Sequence, residues 1–248
     1  MRILIANDDG IYSPGLAALA KVAAQFGDVR VVAPDVEQSS MGHAITHSRP
    51  LSLRRTSLGD LDAWRVNGTP ADCVALGASQ WDNVDIVLSG INLGANLGNS
   101  SWHSGTLAAA KQAALLGLRG VALSTPVADD QPDFRTLVPW VTRVLELLLP
   151  RRELMLVNVN FPPEPRGLRW TRQSVRHYDG RVVPGQDPRG RTHYWITVVP
   201  IGPPEQGTDR WAVEQGWVSL TPLRLDLTDE GALEHAAATA PPDQSVPD

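Results

Sequence analysis

Several common features are missing from this sequence of 248 residues. Cys73 is its only cysteine, which excludes an intrachain disulfide framework or a cysteine-rich zinc site and favours a reducing cytoplasm. No uncharged apolar run reaches the ~18 residues of a membrane span, and the apolar stretch at 1–6 is too short for a signal peptide. The net charge is −5 and there is no basic run, so we expect neither a membrane nor a nucleic-acid polymer as partner.

The motifs of several large enzyme classes are also missing. Neither Gly-x-x-x-x-Gly-Lys-Ser/Thr nor Gly-x-Gly-x-x-Gly occurs, which disfavours a P-loop or a Rossmann dinucleotide site. The sequence has no Gly-x-Ser-x-Gly elbow and no His-Glu-x-x-His helix, so serine-hydrolase and zincin chemistry lack support. Any catalytic site must be built from other residues.

What is present is an alternation typical of an α/β protein. Residues 1–125 alternate short β-rich runs with alanine- and leucine-rich helical stretches, which predicts a parallel sheet covered on both faces. In the segment 67–80, Thr69 is suited to be an N-cap, Pro70 the first helical residue and Asp72 its capping partner. The predicted strands are 3–6, 29–33, 84–88, 121–124 and 154–160, and the other predicted helices are 14–26, 105–117 and 134–149.

The second half of the chain has a different character. Residues 162–222 consist of aromatic-rich strands and Gly/Pro turns, which fits hairpins that extend from the core. The tail at 236–248 is small and polar, and we expect it to lack fixed structure. We therefore predict one domain over 1–248, with an α/β core and active site in 1–160, a hairpin and oligomerisation region in 162–228, and that tail.

Two adjacent acids follow the first predicted strand, in Asn7-Asp8-Asp9-Gly10. The carboxyl ends of parallel strands open onto the ligand crevice of such sheets. Two like charges this close raise one carboxyl pKa, and a hard divalent cation such as Mg²⁺ or Mn²⁺ removes the repulsion by binding both. The alternative is an ordinary Asp turn or helix cap before Pro14.

Two further segments offer ligands for a metal or a phosphate. Three glycines and three asparagines lie within 89–99, where Asn92 and Asn96 carry neutral oxygen ligands; the alternative is a polar glycine-rich loop. Ser104-Gly105-Thr106 directly precedes a predicted helix, and a helix N-terminus is a ready anion site. Ser104 as a plain N-cap is compatible with that interpretation.

Isolated polar residues complete the candidates. Ser39, in the loop after the second strand, is able to complete a metal shell, although loop serines are more often solvated. His43, His47 and His103 are candidate general acids, the alternative being surface or packing residues.

Taken together, these motifs resemble the SurE family of survival-protein nucleotidases. The resemblance spans about 1–228. Each motif alone is weak evidence, but the occurrence of so many of them in the family's order is highly specific. They are Asn7-Asp8-Asp9-Gly10, Ala33-Pro34-Asp35 with Ser39, Gly68 to Val74, Ser89-Gly90-Ile91-Asn92 with Gly94 and Asn96, Ser104-Gly105-Thr106, Asn158-Val159-Asn160, Asp187 to Gly190, Gly207-Thr208-Asp209, and Val218 to Leu223.

Membership implies a fold and an activity. The family fold is a Rossmann-like three-layer α/β core with a protruding β-hairpin and a C-terminal arm exchanged between subunits of a homodimer or homotetramer. The implied activity is that of a metal-dependent phosphatase, a 5′-nucleotidase, on nucleoside 5′-monophosphates, with 3′-monophosphates and short polyphosphate as further substrates.

The resemblance also implies a set of site residues. One divalent cation per subunit would be held by Asp8, Asp9, Ser39 and Asn92, of which Asp8, Asp9 and Asn92 would be catalytic. The phosphate would be surrounded by Asn96, Ser104, Gly105 and Thr106. His103 departs from the family pattern, because an aromatic residue, commonly tyrosine, usually precedes Ser-Gly-Thr.

Several mechanisms and functions remain open at the level of sequence. The hypothesis is in-line attack on phosphorus by a water whose pKa the cation lowers. The alternative is that Asp8 or Asp9 acts as the nucleophile or the base. One competing function is an aspartyl-phosphate phosphatase using Asp8, although that class has Asp-x-Asp and here the acids are adjacent. Others are a non-catalytic nucleotide or phosphate sensor and a structural oligomer in which 162–248 is the working part.

Overall fold

A nine-stranded sheet dominates the computed structural model, which describes residues 1–127, 133–175, 178–200 and 202–239. Its strands follow the order β3-β4-β2-β1-β5-β6-β7-β11-β8, and β9 and β10 form a separate two-stranded ribbon. The strands are β1 (Arg2–Ala6), β2 (Asp28–Pro34), β3 (Leu53–Leu58), β4 (Leu61–Val66), β5 (Ile86–Leu93), β6 (Arg119–Thr125), β7 (Leu156–Asn160), β8 (Leu168–Trp170), β9 (Tyr178–Gln186), β10 (Thr192–Pro200) and β11 (Val218–Pro222).

The six central strands β4, β2, β1, β5, β6 and β7 run parallel, and five of them, all but β4, correspond to predicted strands. Successive side chains of a strand point to opposite faces, so Ile3 and Ile5 of β1 pack with helices α1 (Pro14–Ala23) and α4 (Val138–Leu148). Leu4 and Ala6 pack on the other face, against α2 (Pro70–Ser79) and α3 (Gly105–Leu115). The three-layer α/β fold is therefore confirmed.

Local sequence signals explain where two of the helices begin. Thr69 accepts a hydrogen bond from the Asp72 amide, and the Asp72 carboxylate accepts one from the Thr69 amide, so the predicted capping box starts α2. The single helix predicted over 134–149 is divided into a 3₁₀ turn, Phe134–Thr136, and α4. Pro139 lacks an amide hydrogen and fits only the first turn of a helix, so α4 begins at Val138.

The described part of the second half contributes both to the core and to a projecting hairpin. Strands β9 and β10 pair antiparallel over nine positions and form the expected hairpin. Strands β8 and β11 instead extend the main sheet, because β11 pairs antiparallel with β7 and Val218 and Leu220 enter the core. The core thus continues beyond residue 160. At the opposite edge, the β3–β4 hairpin has no counterpart in the sequence prediction.

Two more helices follow the hairpin. Helix α5 (Asp209–Glu214) packs against β11, whereas α6 (Glu230–Thr239) has no buried residue. Residues 236–239 were expected to lack fixed structure, but they form the last turn of α6, because their alanine-rich sequence favours a helix. The rest of the predicted tail, 240–248, lies outside the described residues. Among the described residues, no helix is long and apolar enough to cross a membrane.

Cys73 lies on α2, where its side chain is fully buried in the layer between that helix and the sheet. Burial raises the pKa of the thiol well above its ordinary value. Cys73 is therefore a core residue, away from the cleft described next.

Candidate active site

The chain segments that leave the carboxyl ends of β1, β2 and β5 meet the N-terminus of α3 around one open cleft of ≈ 450 Å³. Open parallel sheets bind their ligands at this edge. Five of the predicted site residues line the cleft: Asp8, Ser39, Asn92, Asn96 and Ser104.

Asp8 is packed directly against the start of α3. The Thr106 hydroxyl donates a hydrogen bond to Asp8 Oδ1 at 2.5 Å, and only 4% of Asp8 is exposed. Burial raises the pKa of the Asp8 carboxyl, while hydrogen bonds from Thr106 oppose that shift. Gly105 makes the contact possible, because a Cβ added there would lie 2.8 Å from Asp8 Cβ. Thr106 is predicted to lie around the phosphate, and its hydroxyl hydrogen bonds to the Asp8 carboxylate.

Asp9 has an unsatisfied carboxylate oxygen. Its Oδ2 is buried and has no hydrogen-bond partner. Burial, and then the charge of Asp8, raise the pKa of Asp9 to about 7, against a backbone hydrogen bond from Leu93 that lowers it. Buried polar atoms are normally satisfied. An orphaned carboxylate oxygen beside a second carboxylate therefore fits a site for a cation.

Asn92 is presented by an irregular end of β5. The sequence predicts that this strand ends at Leu88, and the structure continues it to Leu93, with a shift in its pairing to β6 between Ser89 and Asn92. Gly90 has a φ of +132°, and a Cβ there would lie 2.2 Å from the Leu123 carbonyl oxygen, so only glycine fits. The Asn92 amide nitrogen donates to the Gly94 carbonyl at 2.6 Å, which leaves the amide oxygen as the atom for a cation.

Asn96 is held by polar residues that the sequence reasoning did not assign to the site. Its backbone amide donates to Asn160 Oδ1 at 2.8 Å, and its side-chain nitrogen donates to the Ser124 hydroxyl at 2.9 Å. Its carbonyl accepts from the side chains of Asn158 and Asn160 at 2.8 and 3.1 Å. The sequence signal for these partners was the presence of two asparagines in the apolar strand β7, which is buried at all five positions. Buried polar side chains need hydrogen-bond partners.

Ser104 is the N-cap of α3, as the simpler interpretation of this residue stated. Its hydroxyl oxygen accepts from the Leu107 amide at 3.0 Å while the residue lines the cleft. A serine hydroxyl that accepts one hydrogen bond still has its own hydrogen to donate. Ser104 is therefore able to cap the helix and bind an oxyanion together.

Ser39 lies on the exposed side of the cleft. Its hydroxyl donates to Glu37 Oε1 at 2.6 Å. Glu37 was not predicted as a site residue, although its negative charge raises the pKa of both Asp8 and Asp9. It therefore adds to the negative charge on this side of the cleft.

Of the three candidate histidines, His103 is the one that lines the cleft. Its carbonyl accepts from the Gly42 amide at 3.1 Å. His43 Nε2 instead lies 2.9 Å from Gln112 Oε1 on α3, and His47 is an exposed loop residue.

A cation in the cleft would need both carboxylates and neutral oxygens. Within the four described ranges, no three His, Cys, Asp or Glu side chains are placed to hold a metal ion. Two carboxylates supplemented by amide and hydroxyl oxygens form a donor set suited to Mg²⁺ or Mn²⁺. Asp8, Asp9, Asn92 and Ser39 match this donor set by chemistry.

Comparisons with known proteins identify the family to which the chain is similar. The family model described as "Survival protein SurE" matches residues 3–180. The chain is 47% identical over 240 residues to "5′-nucleotidase SurE 1" of Thermus thermophilus, covering 94% of this chain and 96% of that protein. It is 44% identical over 253 residues to "5′-nucleotidase SurE" of Deinococcus radiodurans, covering 97% and 93%.

A solved structure extends the agreement to three dimensions. The SurE protein from Aquifex aeolicus superposes with a TM-score of 0.82 at 38% identity, covering 96% of this chain and 99% of that chain. The family match, the sequence identity and the shared fold all point the same way, and the chain belongs to the SurE family.

Proposed function

We propose that this protein hydrolyses nucleoside 5′-monophosphates to nucleoside and inorganic phosphate. The Thermus and Deinococcus relatives are named 5′-nucleotidases. The observation that carries the proposal is that Asp8 lines a cleft beside the N-terminus of α3 and is followed by Asp9, which has one buried carboxylate oxygen without a partner. The single cysteine supports a reducing compartment, and we assign the protein to the cytoplasm.

Asp8, Asp9, Asn92 and Ser39 would together hold one Mg²⁺ or Mn²⁺ per subunit. The unpartnered Asp9 oxygen and the Asn92 amide oxygen are the atoms that this role would satisfy. When bound, such a cation supplies positive charge for the phosphoryl group and lowers the pKa of a water. Both carboxylates must be ionised to bind it, so the raised pKa of Asp9 couples cation binding to proton release.

The protein's own donors would bind and orient the phosphate. The Ser104 hydroxyl has a hydrogen available, and the first turn of α3 presents amides with the positive end of the helix dipole. Gly105 adds no side chain between this helix end and the Asp8 carboxylate. Such fixed donors stabilise charge that develops on phosphoryl oxygens during in-line displacement. The same chemistry extends the proposed substrates to 3′-monophosphates and short polyphosphate.

Phosphate release tests the proposal. Nucleoside 5′- and 3′-monophosphates and short polyphosphates would be assayed with Mn²⁺, Mg²⁺ or EDTA, using the wild type and Asp8→Asn. Asp85→Asn is the matched control, because Asp85 accepts a backbone hydrogen bond from Arg2 at the opposite end of the sheet. We expect metal-dependent turnover that is lost in Asp8→Asn and kept in Asp85→Asn. Stoichiometric nucleotide binding without phosphate release would contradict it and favour a sensor.

We also propose that the protein associates with itself through its C-terminal region. Trp195 and Ile196 of the hairpin are 63% and 81% exposed, and α6 has no buried residue within one chain. Exposed apolar patches of this kind mark interaction surfaces. Light scattering would report a dimer or tetramer, and Ile196→Lys should shift it toward monomer. A monomeric wild type would refute this assembly.

A further inference from the structure

Asp209, the first residue of α5, carries a carboxylate that the proposed reaction does not use. The residue is fully buried, and its two oxygens accept three backbone hydrogen bonds. Oδ2 accepts from the Gly98 amide at 2.8 Å, while Oδ1 accepts from the amides of Ser174 at 2.9 Å and Arg210 at 2.8 Å. The carboxylate therefore joins three parts of the chain that are distant in sequence.

The Gly98 contact anchors one wall of the active-site cleft. Gly98 begins a five-residue 3₁₀ helix, Gly98–Trp102, which connects two cleft residues, Asn96 and Ser104. Short 3₁₀ helices have poor internal hydrogen-bond geometry, so tertiary contacts must fix their position. Gly98 also has a φ of +54°, a left-handed conformation that glycine adopts more readily than other residues.

Gln173 completes this anchor. Its side-chain nitrogen lies 2.7 Å from the Gly98 carbonyl oxygen and 2.7 Å from the Ser101 hydroxyl oxygen. The amide and the carbonyl of Gly98 are thus held by Asp209 and Gln173 respectively. We call the 3₁₀ helix 98–102 with these two contacts the anchored wall.

The other bonds of Asp209 close the base of the β9–β10 hairpin. The chain enters the hairpin after Ser174 and returns at Glu205, and the Ser174 hydroxyl donates to the Glu205 carboxylate at 3.1 Å. The Asp209 amide donates to the Arg172 carbonyl at 2.9 Å. The Asp209 carboxylate therefore binds the wall of the cleft and the segment that enters the hairpin, while the Asp209 amide ties the segment after the hairpin to Arg172.

We propose that Asp209 is a positioning residue for substrate binding, which keeps the anchored wall, and with it Asn96 and Ser104, in register with the hairpin base. The proposal rests on the proposed phosphatase function. The proposed cation ligands Asp8 and Asp9 follow β1, and Asp8 is held by the Thr106 hydroxyl, outside the segment 98–102. Loss of the Asp209 carboxylate should therefore weaken substrate binding and leave the response to metal unchanged.

Asp209→Asn is the first test variant. An asparagine has one acceptor oxygen and places an NH₂ group where the other oxygen stood, so at least one backbone amide loses its acceptor. We expect KM for a nucleoside monophosphate to rise about tenfold, the equivalent of about 1.4 kcal/mol, with kcat within about threefold of wild type. The Mn²⁺ concentration for half-activation should not change.

Hydrogen exchange gives a second readout that does not depend on activity. Mass spectrometry of the full-length variant should show faster exchange in peptides covering 96–104 and unchanged exchange in peptides covering 1–10. Asp133→Asn is the matched control, because Asp133 also accepts a backbone amide, from Arg135, at the start of a 3₁₀ turn remote from the cleft. This control should leave both KM and the exchange of 96–104 unchanged.

Each outcome decides a separate question. Wild-type KM and wild-type exchange in Asp209→Asn would overturn the positioning role. If Asp209→Asn does not fold, Gln173→Met, which removes only the donor to Gly98 and Ser101, must raise KM and the exchange of 96–104, and failure of either refutes the proposal. If the wild type releases no phosphate, the proposed function fails, while the exchange of 96–104 still decides whether Asp209 holds this wall.

Discussion

Replacing Gly105 with alanine adds one methyl group at the point where α3 meets Asp8. The new Cβ would lie 2.8 Å from Asp8 Cβ and 2.9 Å from Asp8 Oδ2. Carbon atoms in contact are optimally about 3.5–4.0 Å apart, so the Asp8 side chain has to move by roughly 1 Å. A misplacement of about 1 Å in a catalytic constellation costs on the order of 100-fold in rate. We therefore expect kcat/KM of Gly105→Ala to fall about 100-fold.

The variant should still fold. Alanine is favoured over glycine in helices by up to about 1 kcal/mol, whereas overpacking a tight site costs about 1–3 kcal/mol. The free energy of unfolding from urea titration should therefore fall by no more than about 2 kcal/mol. Loss of activity would then report the displaced carboxylate and not an unfolded chain.

The assay is the initial rate of phosphate release over a range of nucleotide and Mn²⁺ concentrations. Gly231→Ala is the matched control, since a Cβ on that exposed α6 residue has Asp229 Oδ1 as its nearest neighbour at 3.6 Å. The control should keep wild-type kcat/KM. If Gly105→Ala also keeps kcat/KM within threefold and the same metal dependence, the close packing of Asp8 on α3 does not set the geometry of the reaction.

Three further predictions follow from the same contacts. Because the pKa of Asp9 is raised to about 7 and cations bind the ionised form, calorimetry should show Mg²⁺ or Mn²⁺ affinity rising from pH 6 to 8, with that rise lost in Asp9→Asn. Thr106→Val removes the hydrogen bond to Asp8 and should lower kcat/KM about tenfold, whereas Thr106→Ser, which keeps the hydroxyl, should retain activity; equal losses would contradict the hydrogen-bond role. Asn160→Leu leaves the Asn96 amide without its acceptor and should lower the free energy of unfolding in urea by about 1–3 kcal/mol; an unchanged value would refute the contribution of this bond.

The parallel half of the fold was predictable because each signal is local. Buried parallel strands are recognisable as short apolar runs, and the capping box of α2 involves only four consecutive residues, 69–72. The predicted end of β5 at Leu88 was wrong, because glycine and asparagine in 90–93 are typical of loops. The tertiary contact of Gly90 with β6 keeps that segment in the sheet. The β3–β4 hairpin was missed, and its strands contain exposed charged residues that weaken the alternating pattern.

The candidate site was predictable residue by residue, but its internal contacts were not. Asp8 and Thr106 are 98 positions apart and Asn96 and Asn160 are 64 positions apart, so no local spacing indicates that they touch. The position of Thr106 at a helix N-terminus predicts a residue near the phosphate, but it gives no indication of the hydrogen bond between its hydroxyl and Asp8. Contacts between residues that are distant in sequence therefore had to come from the structure.

The buried thiol of Cys73 makes this protein suited to site-specific labelling. Its side chain is fully buried and its pKa is raised, and thiol reagents attack the exposed thiolate form. A cysteine introduced on the surface would therefore be the one site that reacts under native conditions. Spin labels or fluorophores placed on the hairpin ribbon and on α5 would then report the distance between them without the need to remove a native cysteine.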